Sequence, residues 1–293
     1  MSTGSMFNIS CLEDEVKKRY MGAIDHKYKM RKVQTIILCG GLGTRLREET
    51  EYRPKPMVPI GGRPILWHIM KIYSHFGHTN FILPLGYKGD MIKEYFYNYQ
   101  LMNSDVCIRL GDHNSTTFHP CDNDEIEDWA VTLVNTGEKT LKGGRLKRVE
   151  KYLDCDEVMV TYGDGIADID INRLLEFHHS HGKIATVTGV SPASQFGELR
   201  IRGDQILQYR EKPLVTDHYI SGGFYVFNRS FFKYLDENED CDLESGALEH
   251  LAADGELMVY KHPGKWACMD TLRDTEYLNH LWDEKKAFWK IWE

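Results

Sequence analysis

The stretch Gly40-Gly-Leu-Gly-Thr-Arg-Leu46 packs three glycines and an arginine into seven residues. Glycines carry no Cβ, so backbone N–H groups can approach phosphate oxygens closely. Arg45 offers a planar fork to the same kind of oxygen. Ten residues later Lys55 stands between Pro54 and Pro56, which would hold its ammonium on a stiff, extended segment. A dinucleotide fingerprint needs G-x-G-x-x-G/A and an acid about 20 residues on; Leu46 takes the last small position and that acid is missing. No G-K-[S/T] occurs, which excludes a P-loop. A plain strand-to-helix turn leaves the arginine and the proline-flanked lysine unexplained.

Two carboxylates could complement these cations. Asp164 lies between Gly163 and Gly165 at the end of the apolar run Val158–Tyr162. Open α/β sheets gather ligands at the carboxyl ends of strands, and a carboxylate there suits Mg²⁺, a hard cation that takes oxygen donors. The competing role, capping a helix near residue 170, fits Asp168 or Asp170 better. Asp270, in Met269-Asp-Thr271, taken alone reads as a cap for the helix that follows. Asp168-Ile-Asp170 matches the short Asp-x-Asp metal motif of glycosyltransferases. His178-His-Ser-His181 invites a metal cluster, but neighbouring helical side chains diverge, so a helix end is the better reading.

The elements that must position these residues are legible from periodicity. Val33–Cys39 is a β-branched apolar run entering the glycine loop, hence a buried strand. Ile65, Ile69, Ile72, Tyr73 and Phe76 mark a helix over 64–76, with Pro64 in its first turn. Asn80–Leu85 is a strand and Lys88–Tyr99 an amphipathic helix. Residues 104–136 break the rhythm: Val106–Ile108 and Trp129–Val134 predict strands around a polar loop, a β-rich insertion that could serve an oligomer contact. The alternation returns with a helix over 143–153, a strand over 157–162, a helix over 170–180 and a strand over 184–190. Strands follow over 198–202, 205–210 and 219–228, helices near 230–235 and 245–253, a strand over 257–261 and a helix over 271–290. This pattern predicts an α/β fold whose mainly parallel sheet is covered on both faces. Residues 33–293 parse as a single domain behind a leader, 1–32, of helical or mobile character.

Composition narrows the classes. The 293 residues are 42% hydrophobic and 27% charged, globular values that exclude wholesale disorder. A formal charge of −8 excludes a protein-wide nucleic-acid footprint. The charge is uneven: the leader holds seven Lys/Arg against four acids, whereas 111–128 holds six acids and no Lys or Arg. Lys142, Arg145, Lys147, Arg148 and Lys151 cluster around Glu150. The seven cysteines are dispersed without a C-x-x-C, which argues against structural zinc and a disulfide framework. With no signal peptide and no membrane-length apolar run, a soluble cytoplasmic protein without membrane or nucleic-acid partners is expected.

In order and spacing, Gly40–Leu46, Pro54-Lys-Pro-Met57, Thr161-Tyr-Gly-Asp-Gly165 and Met269-Asp-Thr271 closely resemble the signature of sugar-1-phosphate nucleotidylyltransferases. Those enzymes join a nucleoside triphosphate to a sugar phosphate and release pyrophosphate. The resemblance runs from Val33 to Glu293. Gly86-Tyr-Lys-Gly89, Gly143-Gly-Arg-Leu-Lys-Arg148 and the closing Trp289-Lys-Ile-Trp-Glu293 resemble the members that use CTP and glucose 1-phosphate. It implies the nucleotide-diphospho-sugar transferase fold, a Rossmann-like mixed sheet flanked by helices, and assembly as a homo-oligomer. It also implies that Asp164 and Asp270 bind Mg²⁺, that Arg45 faces the leaving phosphates and that Lys55 faces the α-phosphate. Backbone from Leu38, Cys39, Gly40, Gly41, Gly43 and Thr44, with Gly86, Gly143, Gly144 and Arg145, would frame base and ribose. Tyr162, Gly197, Glu211, Lys212, Gly222 and Gly223 would hold the sugar phosphate, Lys212 pairing with its charge. The chain departs from the pattern at Cys39 for Ala, Ser221 for Asn and Cys268 for Pro, changes that bear on the acceptor more than on the chemistry. Another nucleotide, another phosphorylated sugar, alcohol or phosphonate, or a sugar-nucleotide sensor without turnover are the remaining readings.

Overall fold

The computed structural model describes residues 33–111, 115–120, 127–191, 198–210 and 219–292. Seven strands form the central sheet: β1 (Val33–Leu38), β2 (Asn80–Leu85), β3 (Ala130–Asn135), β4 (Glu157–Tyr162), β5 (Ala185–Val190), β6 (Ile220–Asn228) and β7 (Leu257–Lys261). Their spatial order is β7-β5-β6-β4-β1-β2-β3. All neighbours are parallel except at β6, which runs antiparallel to both β4 and β5. The reversal carries the start of β6 to the carboxyl end of β4, with Phe224 opposite Thr161 and Ser221 opposite Gly189.

The helices on the sheet are α1 (Ile65–His75), α2 (Gly89–Tyr97), α3 (Lys142–Val149), α4 (Ile171–His181) and α5 (Leu272–Asp283). Strand periodicity divides the core into two layers. Ile37, Met159, Phe224 and Val226 face α1, α2, α4 and α5. Ile36, Leu38, Val158, Val160, Tyr225 and Phe227 face α3 and the short helical segments that carry Phe231 and Leu251. Burial on both faces explains why these strands read as continuous apolar runs rather than alternating ones. Each such side chain contributes ~1.5–3 kcal/mol by leaving water.

Two elements differ from expectation. The strand at 130–135 is not the hairpin partner of 104–108. It is an edge strand of the main sheet, parallel to β2, and Ser104–Ile108 pairs instead with Thr116–Pro120. The insertion therefore ends before 130. The helix expected over 271–290 stops at Asp283, and Lys285 takes a left-handed conformation (φ 57°). The turn sends Trp289 back to full burial, where its Nε1 donates to His68 Nδ1 at 3.3 Å. His68 Nε2 donates to the Ile60 carbonyl at 2.8 Å, so the two contacts specify a neutral imidazole. Burial lowers the His68 pKa to about 4.

Candidate active site

The carboxyl ends of β1 and β4 open into a cavity of about 520 Å³. Leu38, Cys39, Gly40, Gly41, Gly43, Thr44 and Arg45 form one wall, with Lys55, Tyr162 and Asp164 beside them. Gly43 is required by geometry: its φ is +65°, and a Cβ would lie 2.6 Å from Thr50 Cγ2. Thr50 Oγ1 also donates to the Gly43 carbonyl at 3.1 Å, pinning the loop as it enters Arg47–Thr50.

Lys55 does not sit on an extended segment. Pro54 is extended, but Lys55 opens a 3₁₀ turn closed by Val58 N–H to Lys55 O at 3.1 Å. The turn aims the ammonium between two carboxylates, 2.5 Å from Asp164 Oδ2 and 2.6 Å from Asp270 Oδ1. Burial works to lower the Lys55 pKa, but the Asp164 charge and the hydrogen bonds that the ammonium donates to both carboxylates outweigh it, so the ammonium is held above its ordinary range. Arg45 Nη1 reaches the other Asp270 oxygen, Oδ2, at 2.6 Å.

A short ladder brings the aspartates together. Trp266–Cys268 pairs antiparallel with Gly165–Ala167, and Met269 N–H donates to the Asp164 carbonyl at 2.9 Å. Asp270 is not the cap of α5. Thr271 fills that place in a capping box with Asp274, which leaves the Asp270 side chain turned toward Lys55 and Arg45. The Asp-x-Asp alternative fails on contacts: Asp168 Oδ1 accepts from His262 and Lys265 N, and Asp170 caps α4 by accepting from Arg173 N. His178, His179 and His181 bond Thr186, Glu157 and Thr186 respectively, with no shared ligand position.

The donor set fits a hard divalent cation. Among the described residues the one group able to hold a metal is Asp164, Cys268 and Asp270, whose ligand atoms lie within 4.8 Å of one another. Two carboxylates, with water and phosphate oxygens completing the shell, match how Mg²⁺ is usually bound.

Several residues expected to frame the nucleotide also have partners within the fold, and Arg145 lines the cavity besides. Arg145 is 3% exposed, and its guanidinium bonds the carbonyls of Leu85, Gly137, Gly40 and Glu138 and the Thr136 hydroxyl. A Cβ at Gly40 or Gly86 would strike that guanidinium. Gly143 and Gly144 let α3 lie against the backbone of Cys241 and Asn238. Arg148 bonds Glu237 O and Thr136 O, and Lys147 bonds Phe232 O, so much of the basic cluster is consumed internally. Gly223 (φ +78°) makes room for the Tyr162 ring, and Gly222 O accepts from Trp266 Nε1 at 2.8 Å. Gly197, Glu211 and Lys212 lie outside the described residues, as does the leader 1–32.

The far wall holds Trp266 and Glu244, which the sequence did not single out, with Cys268 and Lys142, which it noted without giving them a site role. Tyr162 Oη donates to Glu244, and Glu244 pairs with Lys142 at 2.7 Å. Tyr225 Oη lies 2.8 Å from Tyr162 Oη and 2.7 Å from Ser221 Oγ, so a polar chain crosses the cavity floor. Burial, reinforced by Tyr225 and Glu244, raises the Tyr162 pKa and keeps it protonated.

No helix among the described residues is long and apolar enough to cross a membrane. The sequence profile described as "Nucleotidyl transferase" matches residues 34–282. A glucose-1-phosphate cytidylyltransferase of Salmonella typhimurium is 50% identical over 262 residues, 89% of this chain and 100% of its own length. The enzyme of the same name from Salmonella typhi is equally similar over the same extent. In fold, the chain resembles HddC of Yersinia pseudotuberculosis solved with GMP-PN, with TM-score 0.61, 22% identity, and coverage of 85% of this chain and 99% of that one. A profile match over most of its length and half-identity to whole enzymes of this kind show that the chain belongs to the nucleotidyl transferase family and is a nucleotidyltransferase.

Proposed function

We propose that the chain converts CTP and α-D-glucose 1-phosphate to CDP-glucose and pyrophosphate, with Mg²⁺ as its cation. The observation that carries this reading is the convergence of Lys55 and Arg45 on Asp164 and Asp270 beside the glycine loop. The 50% identity to glucose-1-phosphate cytidylyltransferases supports the choice of substrates.

A phosphate oxygen of the sugar phosphate attacks the α-phosphorus in line. The bond to the bridging oxygen breaks and its electron pair leaves with pyrophosphate. No covalent enzyme intermediate is needed, so the protein contributes position and charge. The glycine loop admits the triphosphate. Arg45 turns its exposed guanidinium to the leaving phosphates, and Lys55 turns from its carboxylates to the α-phosphate as charge develops. Asp164 and Asp270 hold Mg²⁺, which when bound neutralises phosphate oxygens as a Lewis acid. Lys212 pairs with the acceptor phosphate, and Glu211 with Glu244 accepts from sugar hydroxyls.

The test is pyrophosphate release across a grid of nucleoside triphosphates and phosphorylated acceptors. Turnover is expected with CTP and glucose 1-phosphate. Rapid turnover with UTP and none with CTP overturns the cytidylyl assignment, and no turnover with any pair favours the sensor.

A further inference from the structure

The ladder that sets Asp270 beside Asp164 also delivers a sulfur atom. Cys268 ends the strand Trp266–Cys268 directly opposite Gly165, and it lines the same cavity. Its Sγ and one oxygen from each aspartate lie within 4.8 Å of one another, close enough to converge on one ion after small side-chain rotations. Mg²⁺ gains nothing from a thiol, because it is a hard cation that takes oxygen. Zinc, cobalt and cadmium do gain, since softer and borderline cations bind sulfur strongly. Three protein donors facing a cavity also match the open kind of zinc site rather than the closed, four-ligand structural kind.

We infer that Asp164, Cys268 and Asp270 form a mixed sulfur–oxygen site that binds a borderline divalent cation, Zn²⁺ or Co²⁺, more tightly than Mg²⁺, and that such a cation blocks the reaction. Binding forms a metal–sulfur bond, and the thiol proton passes to solvent. The cation also competes with Lys55, whose ammonium contacts the same two carboxylates at 2.5 and 2.6 Å. A sulfur-held ion therefore both occupies the Mg²⁺ position and displaces the lysine proposed to meet the α-phosphate. Cys39 lines the cavity as well but is not among the converging donors.

The inference rests on the aspartate pair being the metal position, and the test separates the two. The full chain, stripped of metal, is titrated with Co²⁺ and followed by absorption. A near-ultraviolet sulfur-to-cobalt charge-transfer band is expected, saturating at equimolar metal. The band should vanish in Cys268→Ser and Cys268→Ala, each checked for native circular dichroism, and persist in Cys39→Ser. Zn²⁺ should inhibit Mg²⁺-supported pyrophosphate release, with half-inhibition shifted upward about tenfold or more in Cys268→Ser. No band in the unsubstituted chain, or a band that survives both Cys268 substitutions, overturns the site even if the enzyme turns over normally. A band lost with Cys268 in a chain that turns over no substrate pair keeps the site and removes only the functional reading.

Discussion

Arg145 Nη2 donates to the Gly40 carbonyl at 2.8 Å, joining α3 to the glycine loop across 105 residues of sequence. The same guanidinium bonds Leu85 O, Gly137 O and Glu138 O, so one buried fork ties together the segments leaving β1, β2 and β3. The loop thus takes its shape from a residue that is itself nearly inaccessible.

Arg145→Lys is expected to cost about 2–4 kcal/mol, because a point ammonium cannot serve four carbonyls and leaves buried acceptors unpaired. Urea unfolding measures it. Triphosphate affinity should fall with stability, and an unchanged unfolding midpoint would remove Arg145 from this role.

Gly43→Ala is expected to destabilise by ~1–2 kcal/mol, from the left-handed φ and the clash with Thr50. Gly41→Ala should cost far less, since nothing lies within 4 Å of its added Cβ. Thermal unfolding of the pair distinguishes a shaped loop from a merely glycine-rich one.

Lys55→Ala and Asp164→Asn should each lower kcat by roughly 100-fold or more, the scale of one preorganised charge contact. Near-normal turnover in either would take that residue out of the mechanism. Glu244→Gln should instead act mainly on KM for the sugar phosphate, read in steady-state kinetics at saturating CTP.

His68 makes stability depend on pH. Its folded pKa of about 4 lies below the unfolded value near 6.5, so only the unfolded chain takes up this proton between those values. Its contribution is complete above pH 6.5 and is lost as pH falls toward 4, by up to ~1.4 kcal/mol per unit. His68→Gln should flatten the profile of denaturant midpoint against pH over that window.

Strands 80–85 and 157–162, buried along most of their length, have the bounds that their apolar runs predict. The largely exposed edge strand 257–261 does too, because its β-branched and aromatic residues mark it without burial. The strand at 130–135 was legible to within one residue, but its pairing with β2 was not, nor was the early end of α5: pairing depends on distant partners, and helical spacing around Trp289 also suits a turn packed on His68. At the site, Arg45, Lys55 and Asp164 stood out because glycine and proline neighbours mark them. Trp266 and Glu244 did not, and Cys268 was only noted as a departure from the pattern, because ladder register and a cross-cavity hydrogen bond place them, not a local motif. Arg145 lines the cavity as its charge suggests, but only the fold reveals the carbonyls that surround its guanidinium.

The Arg45–Asp270 contact spans 225 residues, and Lys55 meets Asp164 and Asp270 across 109 and 215. During synthesis, the strand Trp266–Cys268 and the aspartate beyond it follow the glycine loop by more than two hundred residues, Asp270 coming 215 after Lys55. Until then the nascent chain holds the glycine loop and both cations without one of the carboxylates that orient them. Products terminated before Asp270 therefore carry an incomplete centre, and activity waits on that one late-made segment.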